Sequence, residues 1–293
     1  MNYKTSNNIR TIIGIIVRGA AFFMFPAIFS SAFSGLKYIC TQVGAGQMIE
    51  LTTFLVTLIA LIAFTTIFGR FFCGFFCAFG TYSDFLYTIA TFVRKSFRKK
   101  FKIKKEIISL PKKLSNIFRY GKYVVLVVVL AMCVLQKTDD IARLSPWVPF
   151  SRLQSLMPLG TEGSIINVIL LVLISIGMLF VPRFFCRFLC PLGAIFALLP
   201  HLPISVLTRD KSSCAKGCSL CEKNCPAELT LADKNSEERV NMGECFSCGK
   251  CVYKCPKQNA SATINKAGIK GYILMIVKAL ILFALCYYLE IRG

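Results

Sequence analysis

Histidine is all but missing from this chain: 293 residues contain one, His201. A membrane b-type haem needs axial ligands from facing helices and a c-type haem needs C-x-x-C-H, so the composition argues against haem. His201 is expected to be a solvated interfacial residue, with metal ligation or proton relay as the second reading. Acids are scarce too, 14 against 35 lysines and arginines, which leaves a formal net charge of +21. No G-x-G-x-x-G or P-loop run is present to cradle a nucleotide phosphate, and no residue set nominates a catalytic nucleophile. The only tryptophan, Trp147, lies in Ser145-Pro-Trp-Val-Pro-Phe150. Its expected place is at the lipid headgroups, with docking or quinol contact as the alternative.

Apolar residues fill what remains. A hydrophobic share of 55%, 26 phenylalanines and a mean hydropathy of +0.63 exceed what a soluble fold of this length buries. Five stretches approach spanning length: Thr11–Phe33, Met48–Phe68, Tyr120–Leu135, Ser164–Val181 and Gly271–Leu289. Lys4 and Arg10 precede an apolar run without a small-x-small cleavage pattern, which predicts a retained anchor. Between Arg94 and Lys122 stand twelve lysines and arginines and one acid, Glu106, a density that belongs on the cytoplasmic side. The expected location is the bacterial cytoplasmic (inner) membrane, multi-pass, with the N-terminus and the cysteine-rich segment inside. The loops Ser34–Gln47 and Gln136–Gly163 then fall outside. No nucleic-acid fold signature accompanies the charge, so membrane lipid is its expected partner, and nucleic acid is not.

Fifteen cysteines carry the chemistry. Eight of them form C-x3-C-x2-C-x3-C-P from Cys214 to Cys225 and C-x2-C-x2-C-x3-C-P from Cys245 to Cys255. In two-cluster ferredoxins three thiolates of each run hold one cubane, and the fourth, followed by proline, crosses to the other. The expected cofactors are two [4Fe-4S] clusters, one on Cys214, Cys218, Cys221 and Cys255, the other on Cys245, Cys248, Cys251 and Cys225. The first run has one residue more than the standard spacing between its first two cysteines. Thiolate ligands suit a reducing cytosol, in agreement with the charge argument.

Two further cysteine pairs are duplicated. Arg70-Phe-Phe-Cys73-Gly-Phe-Phe-Cys77-Ala-Phe-Gly80 matches Arg183-Phe-Phe-Cys186-Arg-Phe-Leu-Cys190-Pro-Leu-Gly193, and each copy follows an apolar stretch that ends at the inner face. Parallel pseudo-repeats over roughly 10–119 and 120–207 are expected, related by a pseudo-twofold axis along the membrane normal. On a helix, residues four apart share one face, so Cys73 with Cys77 and Cys186 with Cys190 present paired thiols. Gly80, Gly193 and Pro191 are expected to interrupt the helix just beyond. Four thiolates meeting at the axis suit a further Fe–S cluster or a soft metal ion, with Arg70, Arg183 and Arg187 offsetting their charge. Plain packing of small apolar thiols is the alternative for these four. It is the preferred reading of Cys40, Cys133 and Cys286. Arg18 and Lys278, within spanning stretches, are open between function and snorkelling.

The elbows, followed by the ferredoxin runs, resemble the NapH/NosR-type membrane polyferredoxins over about residues 10–260. Cys186, Cys190 and Pro191 match the C-x3-C-P elbow fully; at the first elbow Ala78 stands where proline is usual. The resemblance implies a membrane electron conduit linking quinol or a cytosolic donor or acceptor to a membrane or extracytoplasmic redox partner, as an electron-transfer subunit of an oxidoreductase complex. Quinone is a further candidate ligand. The expected fold is mainly α, a multi-span helical membrane bundle of two parallel pseudo-repeats with a small α+β ferredoxin domain. Its parts are 1–119, a repeat with the basic loop; 120–207, the second repeat; 208–268, the ferredoxin-like domain; and 269–293, a last membrane helix. Two other functions stay open: a copper or metal reductase or assembly factor using the paired C-x3-C sites, and a redox-sensing maturation subunit.

Overall fold

The computed structural model describes residues 3–101, 111–154, 165–200, 207–210, 212, 214–215, 217–229, 231–233, 242–257, 260–262 and 269–291. It is mainly helical and falls into two compact units, one of 1–25, 59–77 and 195–293, the other of 26–58 and 78–194. Two helical stretches, Lys113–Val134 and Ile273–Ile291, are each long and apolar enough to cross a membrane, and Asn8–Met24 with Ile28–Ala45 qualifies as one broken span. Thr53–Phe68 and Ile165–Phe180 are shorter apolar helices. Ile12, Ile16, Val124, Val127, Leu173 and Leu280 expose their side chains, as a surface solvated by lipid does.

The run expected as one span over Thr11–Phe33 is two helices, α1 (Tyr3–Met24) and α2 (Ile28–Ala45). Pro26 lies in the break: it offers no N–H, and its ring excludes the carbonyl one turn earlier. The segment Ser34–Gln47, expected as an outer loop, is therefore helical as far as Ala45. It ends at Gly46, whose φ of 66° allows its N–H to reach the Val43 and Gln42 carbonyls. α3 covers Thr53–Phe68, so Met48–Thr52 lies outside the helix that was expected to start at Met48. Upstream of Tyr120 the apolar third stretch is already helical, in α6 (Lys112–Phe118), and continues in α7 (Gly121–Val134).

In the second unit α2 packs on α7 where Gly44 meets the Val134 carbonyl, 2.5 Å from where a Cβ would stand. α5 (Ala78–Phe101) packs on α10 (Ile165–Phe180). Tyr82 and Ser175 share a hydroxyl–hydroxyl bond of 3.1 Å, and Arg94 donates to the Leu179 carbonyl at 2.7 Å. Short helices α8 (Thr138–Arg143) and α9 (Trp147–Gln154) follow α7.

In the first unit Phe283, on α15 (Ile269–Ile291), packs against Phe25 and Phe76 at ring separations of 5.4 and 4.8 Å. The cysteine-rich segment adds a three-stranded sheet, β1 (Leu207–Arg209) between β2 (Ala232–Asp233) and β3 (Ala260–Ala262), parallel to β2 and antiparallel to β3. Two single-turn helices, α13 (Leu220–Lys223) and α14 (Lys250–Tyr253), each end two positions before the cysteine of a Cys-Pro step.

Gly74 makes one close approach. A Cβ there would collide with the Phe246 carbonyl, whereas a Cβ on Gly19 in α1 would meet nothing within 4 Å. Gly74→Ala is expected to cost about 1–3 kcal/mol as an overpacking change, and Gly19→Ala to be neutral or slightly stabilising. Thermal unfolding in detergent checks the pair; equal melting temperatures for the two variants would contradict this packing.

Candidate metal centres

The second cysteine run is wound by backbone conformation. Ser247 and Gly249 take φ of 49° and 61°, left-handed values that glycine adopts freely and other residues adopt at a cost. The Cys245–Cys251 loop therefore coils tightly. Leu207, Leu231 and Cys251 form a small buried core with Cys221, Cys245, Val252 and Cys255 packed against it. An apolar pocket beside that core is lined by Cys225, Cys245, Cys248 and Cys251, and also by Cys221. Cys225 belongs to the first run, so the Cys-Pro residue of that run stands with three thiols of the second. The Cys225 Sγ accepts the Leu229 N–H at 3.4 Å, a bond set by a turn at Glu228, φ 53°.

Burial acts on these thiols first. It pushes Cys245 from 9.0 up to about 12, helped by the Cys248 and Cys225 sulfurs and opposed by a backbone bond at Ser247 and by the Arg70 guanidinium. Cys251 is raised well above its ordinary value, again by burial and then by Cys245, Cys248 and Cys225. Four sulfurs that repel one another when ionised, in an apolar pocket, fit a cationic iron–sulfur core: the metal supplies the charge that makes the thiolates stable. Among the described residues no three His, Cys, Asp or Glu side chains are grouped to hold one metal ion. A cubane spreads its thiolates over four irons, so that spacing does not count against it.

The first run is looser. Cys214 donates its S–H to the Asp210 carbonyl at 3.3 Å, and Cys221 accepts from Arg209 at 3.2 Å. Arg209 is also paired with Glu222 at 3.7 Å. Gly217, within the longer C-x3-C spacing, has φ 71°. Cys214, Cys218, Cys221 and Cys255 are all half-buried.

The elbows share a hydrogen-bond pattern, although they are entered differently, Arg70 with φ −70° and Arg183 with φ 55°. α4 (Phe71–Phe75) and α11 (Phe184–Phe188) are five-residue helices. In each, the arginine carbonyl accepts from the residue four on, Arg70 from Gly74 and Arg183 from Arg187. The Phe72 carbonyl accepts from both Phe76 and Cys77, and the Phe185 carbonyl from both Leu189 and Cys190, the closing pattern of a helix end. The break thus falls at the second cysteine and not at the glycine beyond it. Gly80 lies inside α5, and Gly193 inside α12 (Pro191–Leu198). The Gly193 N–H, freed at the start of α12, donates to the Cys190 sulfur at 3.2 Å. All four elbow cysteines are buried, Cys73 and Cys77 in the first unit and Cys186 and Cys190 in the second.

The elbow arginines are buried and reach further than expected. Arg70 donates to the Gly243 carbonyl at 3.0 Å, lies 3.8 Å from Glu244 and stacks over Phe246 at 4.9 Å. Arg183 makes a two-pronged pair with Asp84, at 3.1 and 2.8 Å. Arg187 bonds Ser115 at 2.6 Å. Asp84 escaped the sequence reading, although it is the only acid in the apolar stretch Thr81–Val93. Lys122, counted with the basic stretch in the sequence, is fully buried in α7. Arg18 donates to the Gly74 carbonyl at 3.2 Å, and Lys278 to that of Phe68 at 3.3 Å. Trp147 packs among Phe29, Phe79 and Phe185, with centroids 3.9, 4.4 and 5.1 Å away. Cys133 and Cys286 are wholly enclosed. His201 lies outside the described residues.

Family comparisons follow the same division. A model described as a 4Fe-4S binding domain matches residues 51–104 and 164–203, the two elbow regions. A model described as a 4Fe-4S dicluster domain matches 207–256, with all eight ferredoxin cysteines. A protein named for electron transport, YccM of Escherichia coli, is 27% identical over 80% of this chain and 65% of its own length. The ferredoxin-type protein NapH of the same organism is 29% identical over 48% of this chain and 49% of its own. The chain belongs to the membrane polyferredoxin family. Similarity extends to an archaeal protein of Methanocaldococcus jannaschii, 29% identical over 82% of this polyferredoxin and 89% of the relative. No solved structure matches the chain. This polyferredoxin is accordingly an iron–sulfur electron-transfer protein of the membrane.

The raised thiols set a pH response. In the cluster-free polyferredoxin the folded pocket keeps the Cys245 proton up to about 12, whereas the unfolded thiol releases it near 9.0. Stability is then intact below that lower value and falls as pH rises above it. Amide hydrogen exchange of the cluster-free ferredoxin segment should show protection dropping across this window; a flat profile would contradict the burial of these thiols.

Proposed function

We propose that this protein relays electrons between a cytosolic donor or acceptor, or the quinol pool, and a partner at or across the membrane. Cys214, Cys218, Cys221 and Cys255 hold one [4Fe-4S] cluster, and Cys245, Cys248, Cys251 and Cys225 hold the second. When bound, each cubane takes up and returns one electron. The observation that carries this reading is the shared pocket of Cys225 with Cys245, Cys248 and Cys251, the crossover that interlocked runs require. The chain's own residues exclude water from the second site and oppose the charge of its thiolates: Arg70 acts on Cys245, and Arg10 on Cys248 and Cys251.

The elbow cysteines Cys73, Cys77, Cys186 and Cys190 hold a further cluster or soft metal ion that extends the relay. Support comes from their burial, from the duplicated hydrogen-bond pattern, and from the Gly193 N–H on the Cys190 sulfur, because a helix N-terminus favours a thiolate. The same duplication supports two parallel pseudo-repeats, at 1–119 and 120–207, with the ferredoxin-like domain at 208–268 and a last membrane helix beyond. The ferredoxin domain faces the cytoplasm, in keeping with the basic stretch from Arg94 to Lys122.

Quinone contact is favoured by a cavity of about 180 Å³ in the second unit, walled by Phe29, Phe33, Phe79, Trp147 and Phe150, with Lys37 among its polar groups. Aromatic walls with a few hydrogen-bonding groups suit a planar quinone ring. Ala78 and Phe79, which line it, directly follow Cys77 in the chain.

The test is electron exchange with a water-soluble quinone by purified, iron-loaded protein, compared with the variant Cys73→Ser, Cys77→Ser, Cys186→Ser, Cys190→Ser. Exchange should fall by about tenfold or more in the variant, with the ferredoxin clusters kept. Unchanged exchange would remove the elbows from the relay.

A further inference from the structure

A second cavity, of about 230 Å³, lies within the first unit between α1, α14 and α15. α1 contributes Arg10, Gly14 and Arg18, residues four apart on one helix face. Across from them stand Lys250, Tyr253 and Lys254, beside Cys248. Among the described residues four cations line the cavity, and no carboxylate does.

Arg10 is the built part of this site. It retains 9% of its exposure, donates to the carbonyls of Gly249, at 3.0 Å, and Cys248, and lies over the Tyr253 ring at 3.5 Å from its centroid. Its Nε is buried and has no hydrogen-bond partner. A buried donor left unsatisfied is costly, more so on a charged group. Phosphate oxygens, with several lone pairs and negative charge, answer both deficits. The rim specifies the rest of the ligand. Ile15 and Met275 line the cavity, and Ile12, Ile15, Ile16 and Ile273 expose apolar surface along α1 and α15.

We propose that this cavity binds the phosphate of an anionic phospholipid, with Arg10, Arg18, Lys250 and Lys254 around the phosphate and the acyl chains along the exposed isoleucines. The bound phosphate joins a membrane helix to the turn of the second cysteine run. It requires no metal, and so stands independently of how the cysteines are assigned.

The test uses the full-length protein in vesicles of phosphatidylcholine alone or of phosphatidylcholine with phosphatidylglycerol, with bound lipid read by native mass spectrometry after extraction. Wild type should retain phosphatidylglycerol over phosphatidylcholine, and Arg18→Gln with Lys250→Gln should lower that retention about tenfold. Lys254→Gln, at an exposed position, should lower it as well without disturbing the fold; circular dichroism and iron content check that both proteins are intact. A parallel titration with inorganic phosphate separates the sources. Phosphate binding lost in the variants, with no phosphatidylglycerol retained, would keep the phosphate site and assign it to a soluble anion. Equal retention of both lipids with no phosphate binding, or retention unchanged in intact variants, would overturn the proposal.

Discussion

Arg70 is removed from solvent entirely, and a buried guanidinium is tolerable only where charge and acceptors have been brought to it. The second cysteine run supplies them: the Gly243 carbonyl, the Glu244 carboxylate and the face of Phe246. Those three positions bracket Cys245, so the residue that opens the first elbow also partly opposes the rise that burial imposes on that thiol. Gly74, one turn further on, lets the elbow backbone approach the Phe246 carbonyl. Elbow and cysteine run are thus built as one piece. Arg10 holds the Cys248–Gly249 backbone from the side of α1, and Lys278 on α15 acts electrostatically on Cys245. Three buried cations, Arg10, Arg70 and Lys278, come from three different helical elements and act on the sulfurs of the second run.

The two cysteine runs are unlike in a way that follows from this arrangement. Cys248 and Cys251 of the second run are buried and lie in an apolar pocket under several positive charges, whereas every thiol of the first run is half-buried and there the guanidinium of Arg209 is shared between Cys221 and Glu222. Low polarity and fixed charge are among the levers by which a protein sets an iron–sulfur centre. The two halves of the ferredoxin segment therefore offer different surroundings to chemically identical ligands.

Much of this was legible in the sequence because its signals are local. Apolar content gave the helical membrane class, cysteine spacing gave the iron–sulfur chemistry, and the two similar elbow motifs share three corresponding backbone hydrogen bonds in α4 and α11. What was not legible depends on tertiary packing or on single breaking residues. Pro26 divides a run that hydropathy joins. The elbow helices end at Cys77 and Cys190 because the Phe72 and Phe185 carbonyls close the turn there, while Gly80 and Gly193 are absorbed into the following helices. Arg70 meets Gly243 across 173 positions, and the pairing of Asp84 with Arg183 spans 99. No periodicity encodes such partners. Trp147, expected at the headgroups, belongs to an aromatic cluster assembled from residues 29 to 185.

The central claim is that the two runs interlock, with Cys225 serving the second site. Mössbauer and EPR spectra of Cys225→Ala, Cys245→Ala and Cys214→Ala, each prepared anaerobically, test it most directly. The account predicts that Cys225→Ala loses the same cluster signal as Cys245→Ala and keeps the one lost in Cys214→Ala. Loss of the Cys214 signal instead would make each run its own site and contradict the crossover.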